Sequence, residues 1–415
     1  MIKTCLYQAA IAACLFLTAC NESKTTDGVL AVIPLGAAFD TPVELKASDG
    51  FKKISYIPLE TNDSCLIGHA PSVKILHDKL LVTTAMKQSF LFDRATGRFL
   101  TSVGHVGNDP DGYSDVRGCW VDYPNNLIYF NGWNGSQVIY NADGTYKGNL
   151  KSPLKATEFP SFTVFNYLDE QTLVAHSTAG NSNPDQVTVF RDTTIINQFL
   201  PSGMDTVSFK MEPENIQSLS VIYNHGFGGG MIFLDYKDGK AAAYPIGDRF
   251  FWHQGKDLFF MEQFNDTIYQ VTADALLPVR YLDLASYHWD AAERFNKEQA
   301  RAIYPTEVLE GKDVLLIRFV VDLYKDRFVY NALFDKKNGT VKVSNYTMAF
   351  KNDLDGFLPL QPEFVSPDGE FAQIIPVDEI ISWFEENGDK AGLPEEVAAL
   401  KQVGEEDNPV VVIMQ

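Results

Sequence analysis

Side-chain catalysis needs a nucleophile beside a base, two acids in different protonation states, or ligands spaced to hold a metal. Seven histidines are available, at 69, 77, 105, 176, 225, 253 and 288, and no two stand three to five residues apart, so the local spacing of a zinc site is absent. His176 and His225 lie 49 residues apart, close to a repeat length described below, but the other intervals do not follow it. The stretch Asn108 to Asp115 (NDPDGYSD) carries three carboxylates yet lacks the ligand positions and closing glutamate of an EF-hand, so it reads as an Asp-Gly turn. Asn224 to Gly230 (NHGFGGG) is followed by no Lys-Ser pair and no helix, which excludes a phosphate loop.

Recognition is the chemistry these residues suit better. Asn131-Gly132-Trp133-Asn134-Gly135 sets a ring between amides, with Tyr113, Arg117 and Trp120 close in sequence. Flat rings beside amide donors fit the faces and hydroxyls of a sugar, or a peptide, and loops carry such contacts more often than strands do. The competing reading is that Trp120 and Trp133 fill the wedges between neighbouring sheets. Tyr113, Arg117, Trp120, Asn131, Trp133, His225 and His253 are the candidate ligand contacts; no catalytic residue, metal ligand or cofactor is assigned.

The elements that must position them are strands. LLVTTAMKQSFLFDRATGRFLTSV (80–103) alternates short apolar runs with polar breaks, and Thr96-Gly97 supplies a hairpin turn. The plan recurs 47 to 48 residues on, with Leu80 matching Leu127, Phe92 matching Tyr140, Gly97 matching Gly144 and Phe99 matching Tyr146. An all-strand repeat of that length is the mark of four-stranded propeller blades. Further hairpin sets fall near 163–200, 216–247, 249–285 and 313–350, with the fourth set, 216–247, the weakest in register. The strand around Ile54 to Leu59 has no local partner, and NPVVVIMQ at the far end offers one, so the termini are expected to close the ring. The expected fold is therefore all-β, a six-bladed β-propeller rather than a seven-bladed one, spanning 43–415 as one domain. Helical insertions are expected near 289–304 and 377–403.

Composition agrees. With 45% hydrophobic and 13% aromatic residues, the chain can bury a large core of half-buried pleated surfaces. A net charge of −20 repels phosphate backbones and argues against nucleic acid as a partner. Of the five cysteines only Cys65 and Cys119 belong to the body, too few for a disulfide framework, and two buried free thiols are expected.

Residues 1–20 (MIKTCLYQAAIAACLFLTAC) combine a cation at Lys3 with an apolar run from Ala9 to Leu17, the layout of a signal peptide and too short to span a bilayer comfortably. The ending Leu17-Thr18-Ala19-Cys20 resembles the bacterial lipobox, which implies cleavage after residue 19 and acylation of Cys20, with 20–42 as a lipidated tether. Asn21 is not the aspartate associated with inner-membrane retention, which favours the outer membrane, periplasmic or surface-facing.

FNDTIYQV (264–271) with the following Leu277-Pro278 and Tyr281-Leu282-Asp283, YIPLET near Tyr56, LFDRATGRFLTSVG and the closing DNPVVVIMQ together resemble a family of six-bladed β-propeller lipoproteins of Bacteroidetes. Where its members often carry a Gly-x-Gly-Pro-x-Glu-Tyr-like turn, this chain has Gly104 to Tyr113 with aspartates in place of glycine and glutamate. The resemblance implies fold, lipidation and envelope location, but no reaction. The expectation for function is a membrane-anchored, non-catalytic protein whose propeller face binds a glycan or an envelope protein. The alternative is a carbohydrate-active hydrolase or lyase with a site assembled from several blades.

Overall fold

Runs of four to eight residues rich in Val, Leu, Ile and Phe pair with their neighbours through tight turns, and nearly every ladder is antiparallel. The computed structural model describes residues 30–154, 162–178, 185–201, 213–223, 229–246, 249–299, 301–345, 349–388 and 392–415. Among them lie seven sheets of three to five strands and one two-stranded pair. Sheet I covers 72–102, sheet II 115–151, sheet III 163–199, sheet IV 216–245, sheet V 251–282 and sheet VI 303–343. Sheet VII joins Phe364–Val365, Phe371–Ile375 and Val410–Met414 to Ile54–Pro58.

The 47-residue repeat is visible in backbone detail. A register shift interrupts the pairing of the last two strands at Leu91/Phe92, Ile139/Tyr140, Val189/Phe190 and Ile268/Tyr269, the same place in sheets I, II, III and V. Such bulges increase local twist, as sheets fanning about an axis require. Gly97, in the turn that first exposed the repeat, has φ +71°, and a Cβ there would stand 1.9 Å from the carbonyl oxygen of Pro58, so only glycine lets sheet I meet the terminal strand.

Shared cores reveal the order of packing. Leu81 and Leu91 of sheet I pack with Val121 and Phe130 of sheet II; Trp120 and Tyr129 of sheet II with Phe165 and Phe190 of sheet III; Val187 and Val189 of sheet III with Phe251 and Phe260 of sheet V. Sheet V then shares a core with VI, VI with VII, and VII with I. Six sheets thus cover one another's apolar faces in a closed, propeller-like cycle, without sheet IV. Sheet IV lies to the side, where Met231, Phe233 and Ala243 pack on Trp289, Tyr304 and Val320. The six expected hairpin sets all appear as sheets. The closing strands, however, make a further sheet of their own, and the set of weakest register is the one outside the cycle.

Two boundaries differ from the sequence reading. The folded body begins before Val43: Ala31–Ile33 adds a parallel strand to the outer edge of sheet V, and Leu35–Phe39 forms a helical turn. Ile33, Leu35 and Phe39 are apolar enough to fill the wedge between sheets V and VI, so the expected tether 20–42 ends earlier. The segment 289–304 is not a helix among its described residues. It carries one 3-10 turn, Ala291–Glu293, capped by Asp290, because Trp289 and Tyr304 are taken up by the core against sheet IV and Ile303 already starts a strand. Val377–Asn387 and Glu395–Ala399 are helices, and Ile380 and Val397 seat them on the core shared by sheets VI and VII. Cys65 and Cys119 are buried free thiols.

Val410–Met414 is a middle strand of sheet VII, flanked by Ile54–Pro58 and Phe371–Ile375, and all five of its residues are buried. At roughly 1.5–3 kcal/mol per buried aliphatic side chain, their loss is comparable with a whole domain's stability of about 5–15 kcal/mol. Deleting 410–415 is therefore expected to abolish the cooperative thermal transition seen by circular dichroism. A truncated chain that still melts in one sharp step would show that ring closure is dispensable.

Candidate functional site

One edge strand of each ring sheet is its innermost: Ser72–Leu76, Asp115–Asp122, Thr163–Tyr167, Phe251–Gln254, Ile303–Glu310 and Phe364–Val365. Neighbouring members of this set approach one another directly, as 115–122 does 163–167 and 251–254 does 303–310. Alternation along a strand turns every second side chain toward one adjoining wedge, and a residue at the crowded inner edge reaches the axis. All six strands contribute to one axial cavity of ≈ 90 Å³, among them Lys74, Trp120, Asn166, His253, Glu307 and Phe364, one from each. Tyr123 and Arg249 also line it, just beyond the ends of their strands.

The cavity rests on a buried charge network. Glu307 accepts from Arg318 on the same sheet and pairs with Arg249. Arg318 also donates to the carbonyl of Pro362 at 2.8 Å and to Asn331 Oδ1 at 3.2 Å, while Arg249 donates to the carbonyl of Glu363 at 3.0 Å. Two guanidiniums thus meet the one carboxylate of Glu307. The neighbouring Glu363 differs: burial pushes its carboxyl up to about 8, against the pull of Arg318 and Arg249. Three residues from Glu307 along the strand, and so on the other face, Glu310 accepts a fork from Arg280 at 3.0 and 2.7 Å, Lys336 at 2.6 Å and the Trp252 indole at 2.8 Å. That second network ties sheets V and VI behind the cavity wall.

His253 lies flat on Tyr167, centroids 3.8 Å apart, with Nε2 3.1 Å from Asn166 Oδ1. Burial pushes its imidazole down to about 3, so the ring is neutral near physiological pH; because an amide oxygen only accepts, Nε2 carries the proton. Rings, an amide, a neutral imidazole, two cations and a carboxylate thus meet in one recess.

Of the seven candidate contacts read from the sequence, the structure brings Trp120 and His253 into this cavity. Trp120 is also wedge packing, stacked 3.9 Å from Tyr129 with its indole donating to Gln137. Tyr113 is buried against Phe130, its hydroxyl donating to the Lys87 carbonyl. Arg117 is held by Asp115 and donates to the Tyr223 hydroxyl at 2.7 Å, linking sheet II to the end of sheet IV's first strand. Asn131 bridges the Arg117 carbonyl and Gln137, and Trp133 sits half-exposed with its indole on the Gly107 carbonyl. His225 and Cys20 lie outside the described residues. In the turn 104–113, ligand atoms of His105, Asp109 and Asp111 fall within 4.8 Å of one another, on a loop where His105 and Asp109 are exposed. Lys74, Asn166, Arg249, Glu307 and Phe364 are cavity residues that sequence reasoning does not pick out. Their signal is a polar residue inside the otherwise apolar first strand of a repeat, as in SVKIL or TVFNY.

The burial of these groups sets the pH dependence of stability. Between pH 6.5 and about 3 the unfolded chain takes up a proton at His253 that the folded chain refuses, so this group costs stability as pH falls. Between 4.5 and about 8 the folded chain keeps a proton on Glu363 that the unfolded chain has lost, so that contribution fades as pH rises. Unfolding free energies from urea titrations between pH 4 and 9 are expected to show His253→Gln removing a rise of about 1.4 kcal/mol per pH unit below pH 6.5, and Glu363→Gln removing a fall of similar size between pH 4.5 and about 8, the two cancelling in the wild type from 4.5 to 6.5. Unchanged limbs in both variants would contradict the assignment.

Comparison with known proteins places the chain in a family. A protein of Bacteroides fragilis NCTC 9343 described as a presumed exported protein shares the fold, with a TM-score of 0.63 and 16% identity over 93% of this chain and 99% of that one. A member of the DUF4221 family from Bacteroides vulgatus ATCC 8482 (TM-score 0.35, 11% identity, 88% of this chain and 96% of that one) and the WD40 repeats of RRP9 (0.39, 9%, 90% and 99%) are more distant likenesses. No curated protein matches the chain. The model of the family described as a domain of unknown function, DUF4934, matches residues 30–415, and the chain belongs to that family.

Proposed function

We propose that this chain is an exported, lipid-anchored six-bladed propeller that binds a glycan-type ligand in its axial cavity without transforming it. The observation that carries the reading is the convergence of six inner strands on one cavity that mixes aromatic rings with amide, imidazole, guanidinium, ammonium and carboxylate groups. Apolar sugar faces match the rings, and hydroxyls match groups that both donate and accept. Six blades are supported by the cycle of shared cores, with sheet IV read as an addition packed on sheet VI. Export is supported by the signal layout of residues 1–20 and by the description of the Bacteroides fragilis relative; the lipid follows from Leu17-Thr18-Ala19-Cys20. Outer-membrane residence rests on Asn21.

One observation favours the second reading, a hydrolase or lyase. Glu307 pairs with Arg249 and Arg318, while burial pushes the Glu363 carboxyl beside the same arginines up to about 8, and two acids in different environments are what glycosidic chemistry uses.

A thermal-shift screen against a glycan array, followed by product analysis, separates the readings. Binding is expected to raise the melting temperature, since a ligand at a hundredfold its Kd stabilises by about 2.7 kcal/mol, with the glycan recovered intact. New reducing ends or unsaturated products would establish the enzyme. No shift with any sugar, together with a captured envelope protein, would replace the glycan by a protein partner. Labelled palmitate is expected to enter the wild-type chain and not Cys20→Ser; equal labelling would remove the anchor.

A further inference from the structure

The axial cavity has a charge opposite to that of the molecule around it. Lys74 and Arg249 line it against one lining carboxylate, Glu307, so the lining carries one net positive charge. Behind the lining, Arg318 and Glu363, whose carbonyl holds Arg249, offset each other when Glu363 is ionised and add a second positive charge when it is protonated, as its burial favours at neutral pH. The remaining groups do not reverse the sign. His253 is neutral, Tyr123 is kept protonated by burial, and Asp368, Glu370 and Glu379, which act on Tyr123 and Glu363, stand outside the lining, Glu370 being paired with Arg94. The whole chain carries −20.

A positive, recessed site inside an acidic protein is selective in a particular way. The exterior repels extended polyanions, whereas low-dielectric walls strengthen attraction for a single small anion that enters. Arg249 is placed to take such a group. It is the one member of the Glu307 cluster with appreciable exposure, 23% of its side chain against 1% for Arg318 and 2% for Glu307. A guanidinium matches the two oxygens of a carboxylate, and Lys74, on a strand of another sheet, supplies a point charge to the same space.

We propose that the ligand bears a carboxylate that enters the axial cavity and is recognised by Arg249 and Lys74, with the rest of the molecule, as in a uronic acid residue, at the cavity's open side. This rests on the ligand-binding reading above and specifies its chemistry. The test is isothermal titration of the full chain, purified in detergent, with galacturonate, its methyl ester, galactose and acetate. Galacturonate is expected to bind at least about tenfold more tightly than the ester or galactose, and Arg249→Met and Lys74→Met to remove that preference. Arg249→Lys, which keeps the charge and loses the fork, should retain part of it, and circular dichroism of each variant checks folding. Binding of acetate as tight as that of galacturonate supports the carboxylate and assigns it to a free acid rather than a sugar. Equal binding of galacturonate, ester and galactose, unchanged in both methionine variants, would overturn the carboxylate and leave glycan binding standing. No binding of any of the four by the folded wild type would overturn both.

Discussion

Everything in this structure depends on a closed cycle of covered faces. Each ring sheet is a narrow antiparallel ladder with two apolar surfaces, and none could be stable alone. The solution is reciprocal: Leu81 with Phe130, Tyr129 with Phe165, Val189 with Phe260, and so on around to Ile413 with Val82. The last contact is made by joining the two ends of the chain. Ile54–Pro58 is the outermost strand of sheet VII, and it finds its partner more than 350 residues away in Val410–Met414. That join removes two open edges and fixes the angle at which all six inner strands face one another.

Inner strands brought edge to edge leave little room on the axis, and what stands there is costly to bury. Glu307 and Glu310 sit within four residues of one strand, each almost fully buried, each matched by two cations. Such pairs repay their desolvation only with near-complete hydrogen bonding, which Pro362, Asn331 and Trp252 help to supply. The Glu310 set is sealed between sheets V and VI and is accounted for by structure. The Glu307 set opens onto the cavity through Arg249.

The fold was largely legible in the sequence because strand periodicity and turn chemistry are local. Gly97 and Gly144, spaced by one repeat, both have positive φ, and the lone strand at Ile54 and the Val-rich end read as partners from their apolar patterns alone. Helix propensity misled at 289–304, where Ala, Glu and Lys favour a helix but Trp289, Ile303 and Tyr304 are claimed by tertiary cores. The start of the body was not legible because Ala31–Ile33 pairs in parallel with a strand some 250 residues on, a contact with no local signature. The site was less legible for the same reason. Rings next to glycines draw attention to Trp133 and Asn131, which serve the local loop. Lys74, Asn166 and Glu307 are ordinary singly and meaningful only once six strands are set around an axis.

The central claim is that those strands enclose an anion-attracting site on the ring axis. Anomalous diffraction at the bromine edge from crystals soaked in sodium bromide tests it most directly. The account predicts a bromine peak in the axial cavity, within contact of Arg249 and Lys74. Bromine found only at surface lysines, with the axis unoccupied at saturating soak, would contradict it.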